Sequence, residues 1–227
     1  MTRTDSTDKF ARWVAVISLV VAIASVAVPY VEQRSQFQVM QREELSIQLN
    51  PYTDGPIRVT NDNFGPMGRV VQIPWQVTLS NTGNQKLSIT NYSIRSGDSP
   101  NSTYYTGIDG GMLGSDLKPV ALPISLDPGE SRIYLLMIGI LVPPNVNKIL
   151  SSIGDPKART MHHVEKVLAM NGIDIFGHKV TYQTSSGGGY SIRFDNSQID
   201  SPTFWYRVTT GRGTAFSASA AEYGDPR

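Results

Sequence analysis

The chain has 227 residues, with 20 Lys and Arg against 19 Asp and Glu, three His and no Cys, and 40% of its residues are hydrophobic. This balance excludes a nucleic-acid footprint or a basic lipid-docking stripe. The absence of cysteine excludes disulfides and a lipid-modified cysteine, so any folded body is held by burial alone.

Residues 1–12 are a short polar tail, read as cytoplasmic, and they run into Trp13–Val31 (WVAVISLVVAIASVAVPYV), nineteen residues without a charge. That is about the length of one bilayer-crossing helix. Ser18 and Ser25 can return their hydroxyls to carbonyls one turn back, Pro29 lies near the far end, and Trp13 and Tyr30 stand where aromatic rings favour the lipid–water boundary. Arg3, Lys9 and Arg12 precede the segment while Arg34 and Arg42 follow it, so the basic-residue rule places the N-terminus in the cytoplasm and the main domain outside. A cleaved signal peptide stays open, with Ser25-Val26-Ala27 as its small-x-small site. The apolar run continues past that site and Pro29 would fall close behind the cut, which favours a retained anchor. The first 31 residues hold three of the basic and two of the acidic side chains, leaving 17 of each beyond them.

Residues 32–44 form a polar stalk rich in helix formers. From Leu45 the texture changes to short alternating runs divided by Gly, Pro, Asn and Asp, which predicts an antiparallel β-sandwich or barrel over 45–211. Expected strands are Ser46–Asn50, Ile57–Thr60, Val70–Ser80, Lys86–Arg95, Val120–Leu126, Arg132–Val142, Ile173–Gln183, Tyr190–Phe194 and Phe204–Thr210. Alternation is clearest at Trp75, Val77 and Leu79; in the next strand it changes phase at Thr90-Asn91, the mark of a bulge.

Two turns carry a family likeness. LSNTGNQKLSI (Leu79–Ile89) ends one strand on Ser-Asn-Thr-Gly and resumes on Leu, and LDPGES (Leu126–Ser131) opens an apolar strand with a Pro-Gly turn. Together they resemble the Asn-x-Gly and Pro-Gly-Glu signatures of bacterial adhesion-related (CARDB-type) immunoglobulin-like sandwiches, over roughly residues 70–142, with IDIFGHKVTYQT (Ile173–Thr184) resembling such a domain's closing strand. The resemblance implies adhesion or protein binding rather than catalysis, and supplies no site residues.

A helical insertion at 145–171 departs from that family. PPNVNKILSSIG places Val146, Ile149, Leu150 and Ile153 at helical spacing with Asn145 as cap, and DPKARTMHHVEKVLAMNG places Met161, Val164, Val167 and Leu168 on one face with Asp155 as cap and Pro156 as first helical residue. IYLLMIGILVPP (Ile133–Pro144) is apolar on both faces, so its outer face needs a cover. The helices that follow are the first choice and a partner subunit the second.

No catalytic residue, cofactor site or metal site is assigned. His162 and His163 are adjacent and diverge on a helix, the glycine runs lack a phosphate-loop ending, and no nucleophile elbow occurs. The candidate partner-binding residues are Tyr104 and Tyr105, in the long loop Gly97–Gly114, and Phe204, Trp205 and Tyr206, in an edge strand or clasp. Residues 212–227 read as a disordered tail. The composite expectation is a single-pass, extracytoplasmic, non-catalytic adaptor that binds a protein partner. Its alternatives are a structural subunit of a membrane complex buried through Ile133–Pro144, or an envelope enzyme with a loop-built site at Asp109, Asp116 or Asp174.

Overall fold

The computed structural model describes residues 42–154, 160–185, 189–194 and 201–222, together with Trp13, Val16, 18–23, Ser25 and Tyr30. The chain divides into two units, Met1–Glu43 and Glu44–Arg227. In the first, residues 18–23 are helical and the Ser25 hydroxyl donates to the Ala22 carbonyl (2.9 Å), three residues back. Most of Trp13–Val31, the tail 1–12 and most of the stalk lie outside the described residues. No helix among the described residues is long and apolar enough to cross a membrane.

The second unit is built mainly of antiparallel sheet. Strands β1 (Leu45–Pro51), β2 (Arg58–Asn63), β3 (Arg69–Asn81), β5 (Asp109–Leu113) and β7 (Ser131–Val142) make one sheet in the order β1-β3-β7-β5, with β2 also on β3. Strands β4 (Leu87–Ser96), β6 (Ile124–Leu126), β10 (Thr203–Thr210) and β11 (Ala215–Ala221) make the other, in the order β11-β10-β4-β6. Alternation along β3 turns Val71, Ile73, Trp75, Val77 and Leu79 inward, where they share one core with Leu136 and Ile138 of β7 and with Leu87, Ile94, Phe204, Tyr206 and Val208 of the opposite sheet. Trp75 meets Phe204 edge-on, with ring centroids 5.7 Å apart. The register of β10 on β4 shifts between Thr209 and Thr210, which skips Thr90. That is the bulge expected at Thr90-Asn91, and it returns Tyr92 and Ile94 to the same side as Leu87 and Ile89.

The two motif turns meet. Asn81 is buried; its Nδ2 donates to the carbonyls of Gln85 (2.7 Å) and Leu126 (3.0 Å), and its Oδ1 accepts from Gly83 N (3.1 Å). The Asn81 carbonyl accepts from Gly129 N, and Gly129 has φ +75, open to glycine without strain. Both turns therefore pin one strand end to another.

Helices α1 (Pro144–Ser152) and α2 (Met161–Met170) come at the expected place, with different caps. Pro143, not Asn145, caps α1, because Pro144 already has helical φ and needs no amide partner. Thr160 caps the described start of α2, its hydroxyl accepting from His163 N, while the Met161 and His162 amides donate to the carbonyls of Gly55 and Thr53. Asp155 and Pro156 lie outside the described residues.

Five expectations are corrected. The helices do not cover the outer face of β7: Val146, Leu150, Met161, Val164 and Leu168 join the main core between the sheets. That outer face is met instead by the neighbouring strand β5 and the loop that leads into it. Leu135 and Met137 cluster with Leu113, a Cβ on Gly139 would lie 2.2 Å from the Gly107 carbonyl oxygen, and Ile133 stays 61% exposed. The closing strand Ile173–Thr184 is not part of the sandwich, since only β8 (Val180–Thr184) is extended there and it pairs with β9 (Tyr190–Phe194) as a separate hairpin. The loop Gly97–Gly114 contains β5, whose Asp-Gly-Gly start carries no alternation to announce it. Val120–Leu126 is shortened to β6, with Pro119 and Pro123 unable to donate to a ladder. Residues 212–227 are not a disordered tail throughout, because Ala215–Ala221 form β11 on β10; residues 223–227 lie outside the described set.

Candidate functional site

The candidate aromatic residues separate into core and surface. Phe204 and Tyr206 are fully buried, because their face of β10 packs on the opposite sheet, and they can touch no partner; β10 is an interior strand of its own sheet rather than an edge or clasp. Tyr105 is half-buried against the core; its hydroxyl donates to the Gly139 carbonyl (2.6 Å), and burial raises its pKa. Tyr104 and Trp205 remain. Tyr104 is 58% exposed, and the Arg95 guanidinium lies 5.1 Å from its ring centroid. Arg95 is also the cross-strand neighbour of Trp205, whose Nε1 donates to the Gly97 carbonyl (2.9 Å).

Strand register extends this surface. Trp205 and the exposed Arg207 alternate outward on β10, opposite Arg95 and Ser93 of β4 on one side and Ser219 and Ser217 of β11 on the other. None of β4, β10 and β11 contains an acidic residue. The result is a sheet face with two guanidiniums, an indole, a phenol and a ladder of hydroxyls. Tyr, Trp and Arg are the residues that carry most interface energy. Sequence reasoning missed Arg95 and Arg207. The alternation Ile94-Arg95 and Tyr206-Arg207-Val208 held the signal, once the phase after the bulge is followed.

A second, separate site lies where the hairpin approaches α2. A cavity of about 200 Å³ has Glu165 and Asp174 among its lining residues, with the rest of the wall mostly apolar: Ile175, Val180, Ile192 and Phe194. Asp174 is buried and fixed, its Oδ1 accepting from Phe176 N (3.0 Å) and His178 N (2.7 Å), its Oδ2 2.8 Å from His178 Nδ1. Glu165 is half-buried; desolvation, then the charge of Asp174, pushes its pKa up to about 7. Glu222 is pushed up to about 8 by burial and then by Glu165, and its Oε2 is buried without a hydrogen-bond partner. On the outer side of α2, His162 and Lys166 meet Tyr190, which stacks beside Tyr182 at 5.4 Å between centroids. Glu165 was legible as a charge on the row Met161–Glu165–Ala169, between two buried residues.

The carboxylates considered for a loop-built site are each held locally. Asp109 accepts from Tyr92 Oη (3.2 Å) and Gly111 N, and Asp116 from Lys118 N with an ion pair to Lys118 Nζ. Tyr92 is pushed up to about 12 by burial first and by Asp109 second. Among the described residues, no three of His, Asp and Glu gather so as to hold a metal ion. No family model matches the chain, and a search of curated proteins returns no match.

Proposed function

We propose that the chain is a membrane-tethered, extracytoplasmic binding module whose body is an immunoglobulin-like sandwich, and that it holds an acidic segment of a protein partner on the Arg95–Tyr104–Trp205–Arg207 face. The tether is the uncharged stretch Trp13–Val31, of bilayer length, followed by a charge-balanced body. Immunoglobulin-like order is supported by the two sheets: the constant-type pattern A-B-E-D corresponds to β1-β3-β7-β5, and G-F-C with its extra edge strand corresponds to β11-β10-β4-β6. Two departures mark this chain. The strand at the D position precedes the extra edge strand in sequence, and helices with a hairpin replace the short connection before β10.

The observation that carries the reading is the convergence of Tyr104 and Trp205 on Arg95 in a face whose strands hold no carboxylate. Such a face attracts negative charge and offers rigid aromatic contact area. A photoreactive side chain placed at Tyr104 of the full-length protein, irradiated in native membranes, tests it. The expected result is one dominant protein adduct that fades with added salt and is lost in Arg95→Glu/Arg207→Glu. Absence of an adduct, or recovery of the uncleaved protein in the soluble fraction, overturns it.

The assembly-subunit reading has its own observation. Ile133 is 61% and Leu117 55% exposed beside a groove that also includes Tyr52 and Leu135, on the outer face of the β7 sheet. Leu117 has φ +59, a left-handed conformation that costs about 1 kcal/mol or more for such a side chain. A large complex in mild detergent that falls apart in Leu117→Ser/Ile133→Ser would favour this second reading over the first.

A further inference from the structure

The cavity beside α2 is not used by the partner-binding face, and its chemistry is unlike that face in sign. Its wall is mostly apolar, yet it includes two acidic residues, the charge of Asp174 acting on Glu165, and Glu165 in turn acts on a third, Glu222. Against this trio stands the imidazole of His178, its Nδ1 committed to Asp174 Oδ2 at 2.8 Å. Lys166, the cation next to Glu165 on the helix, points its ammonium at the Tyr190 ring, 5.6 Å from the centroid.

We propose that this cavity is a binding site for a small apolar amine, taken as its ammonium ion with the charge beside Glu165 and the hydrocarbon body among Ile175, Val180, Ile192 and Phe194. Physical elimination supports the class. A neutral hydrocarbon would leave Glu165 desolvated without a partner. An anion would meet two carboxylates. A hard metal ion needs about six oxygen ligands, and the wall is apolar. An ammonium with an apolar tail suits both parts of the lining, because its three donors suit carboxylates and its body suits the aliphatic wall.

Size narrows the class further. A cavity of about 150 Å³ takes a benzene ring, so one of about 200 Å³ takes a ring or branched chain with a short amine arm. The ionisation of Glu165 near pH 7 sets the direction of pH dependence. Asp174, His178 and Glu222, with Tyr190 and Lys166 at the outer side of the helix, are the other titratable groups about it. Raising the pH from 6 to 8 ionises Glu165, so an ammonium, itself charged throughout that range, binds more tightly at the upper end.

The test uses the full-length chain in lipid nanodiscs, titrated calorimetrically with 2-phenylethylamine and, as a neutral isostere, 2-phenylethanol, with empty nanodiscs subtracted. Expected are saturable one-to-one binding of the amine, binding of the alcohol at least tenfold weaker, and at least tenfold loss in Glu165→Gln at pH 8. Ile192→Trp, which fills the cavity from a half-buried position, abolishes binding while its thermal unfolding shows the fold intact. Absence of saturable amine binding, equal affinity for amine and alcohol, or unchanged affinity in Glu165→Gln overturns the proposal. Should Glu165→Gln not fold, the amine-to-alcohol ratio and Ile192→Trp decide alone.

Discussion

The sandwich and the helix–hairpin insertion solve the burial problem in opposite ways. In the sandwich, period-two alternation sends Trp75, Leu136, Phe204 and Tyr206 to a common interior, and the buried side-chain amide of Asn81 has its donors and acceptor satisfied. In the insertion, a two-stranded hairpin too small to make a core of its own lies by a helix, leaving a cavity with acidic residues in its wall. Stability and chemistry are thus divided: the first region holds the body together, and the second carries Glu165, a carboxyl whose titration is moved to about 7.

The largest effect should come from breaking the sandwich. Trp75→Ala removes a fully buried ring from the centre of the core and should cost about 3–5 kcal/mol. Ile192→Ala in the hairpin should cost no more than about 1 kcal/mol, because its side chain is half-buried. Denaturant unfolding of both variants checks the division, and equal losses would abolish it. Next in size is Asn81→Ala, which strands the Gln85 and Leu126 carbonyls and the Gly83 amide; about 2–3 kcal/mol is expected.

Titration sharpens the comparison. Glu165 has a folded pKa of about 7 against an ordinary value of 4.5. A raised carboxyl favours the folded state fully below the unfolded value, and that contribution is lost as the pH rises through 7. Glu165→Gln should therefore match the parent near pH 4 and exceed it by about 1–2 kcal/mol at pH 8, the partial exposure of the group being allowed for. Thermal melts of both proteins across pH 4–8 test this, and parallel curves would show Glu165 ordinary. Smallest is Tyr104→Ala, expected within about 0.5 kcal/mol of the parent in stability because the ring is exposed, while co-purification of the crosslinked partner from native membranes falls.

Which of this was legible depended on how local the signal is. The strands from Ser46 to Arg95 announce themselves by alternation and Arg132–Val142 by a continuous apolar run, and each lies close to where expected. So does the bulge at Thr90-Asn91. Strand β5 was hidden because Asp109, Gly110 and Gly111 have low strand preference; the register skips the two glycines, and the strand is held by Asp109, Met112 and Leu113 opposite Ile138, Leu136 and Leu135 of β7, a long-range contact. Strand β11 was hidden for the same reason: AFSASAA is small and polar, and only β10 alongside makes it a strand. Among the candidate site residues, FWY at 204–206 could be read as an alternating run, but which side is inward depends on which face of its sheet packs on the other sheet. The face carrying Phe204 and Tyr206 packs on Trp75 and the rest of the opposite sheet, so those two go to the core and Trp205 outward.

Sequence alone determined the uncharged N-terminal stretch, the β character of the body, the two motif turns and the helical insertion, because each rests on spacing within a dozen residues. Tertiary structure decided the rest. The pairing of the Asn81 and Gly129 turns, the packing of β5 and its leading loop rather than the helices on the outer face of β7, the meeting of Arg95 with Trp205, and the approach of Glu222 to Glu165 all join residues far apart along the chain. Local periodicity can say that a side chain faces inward or outward, but not which distant side chain it will find there.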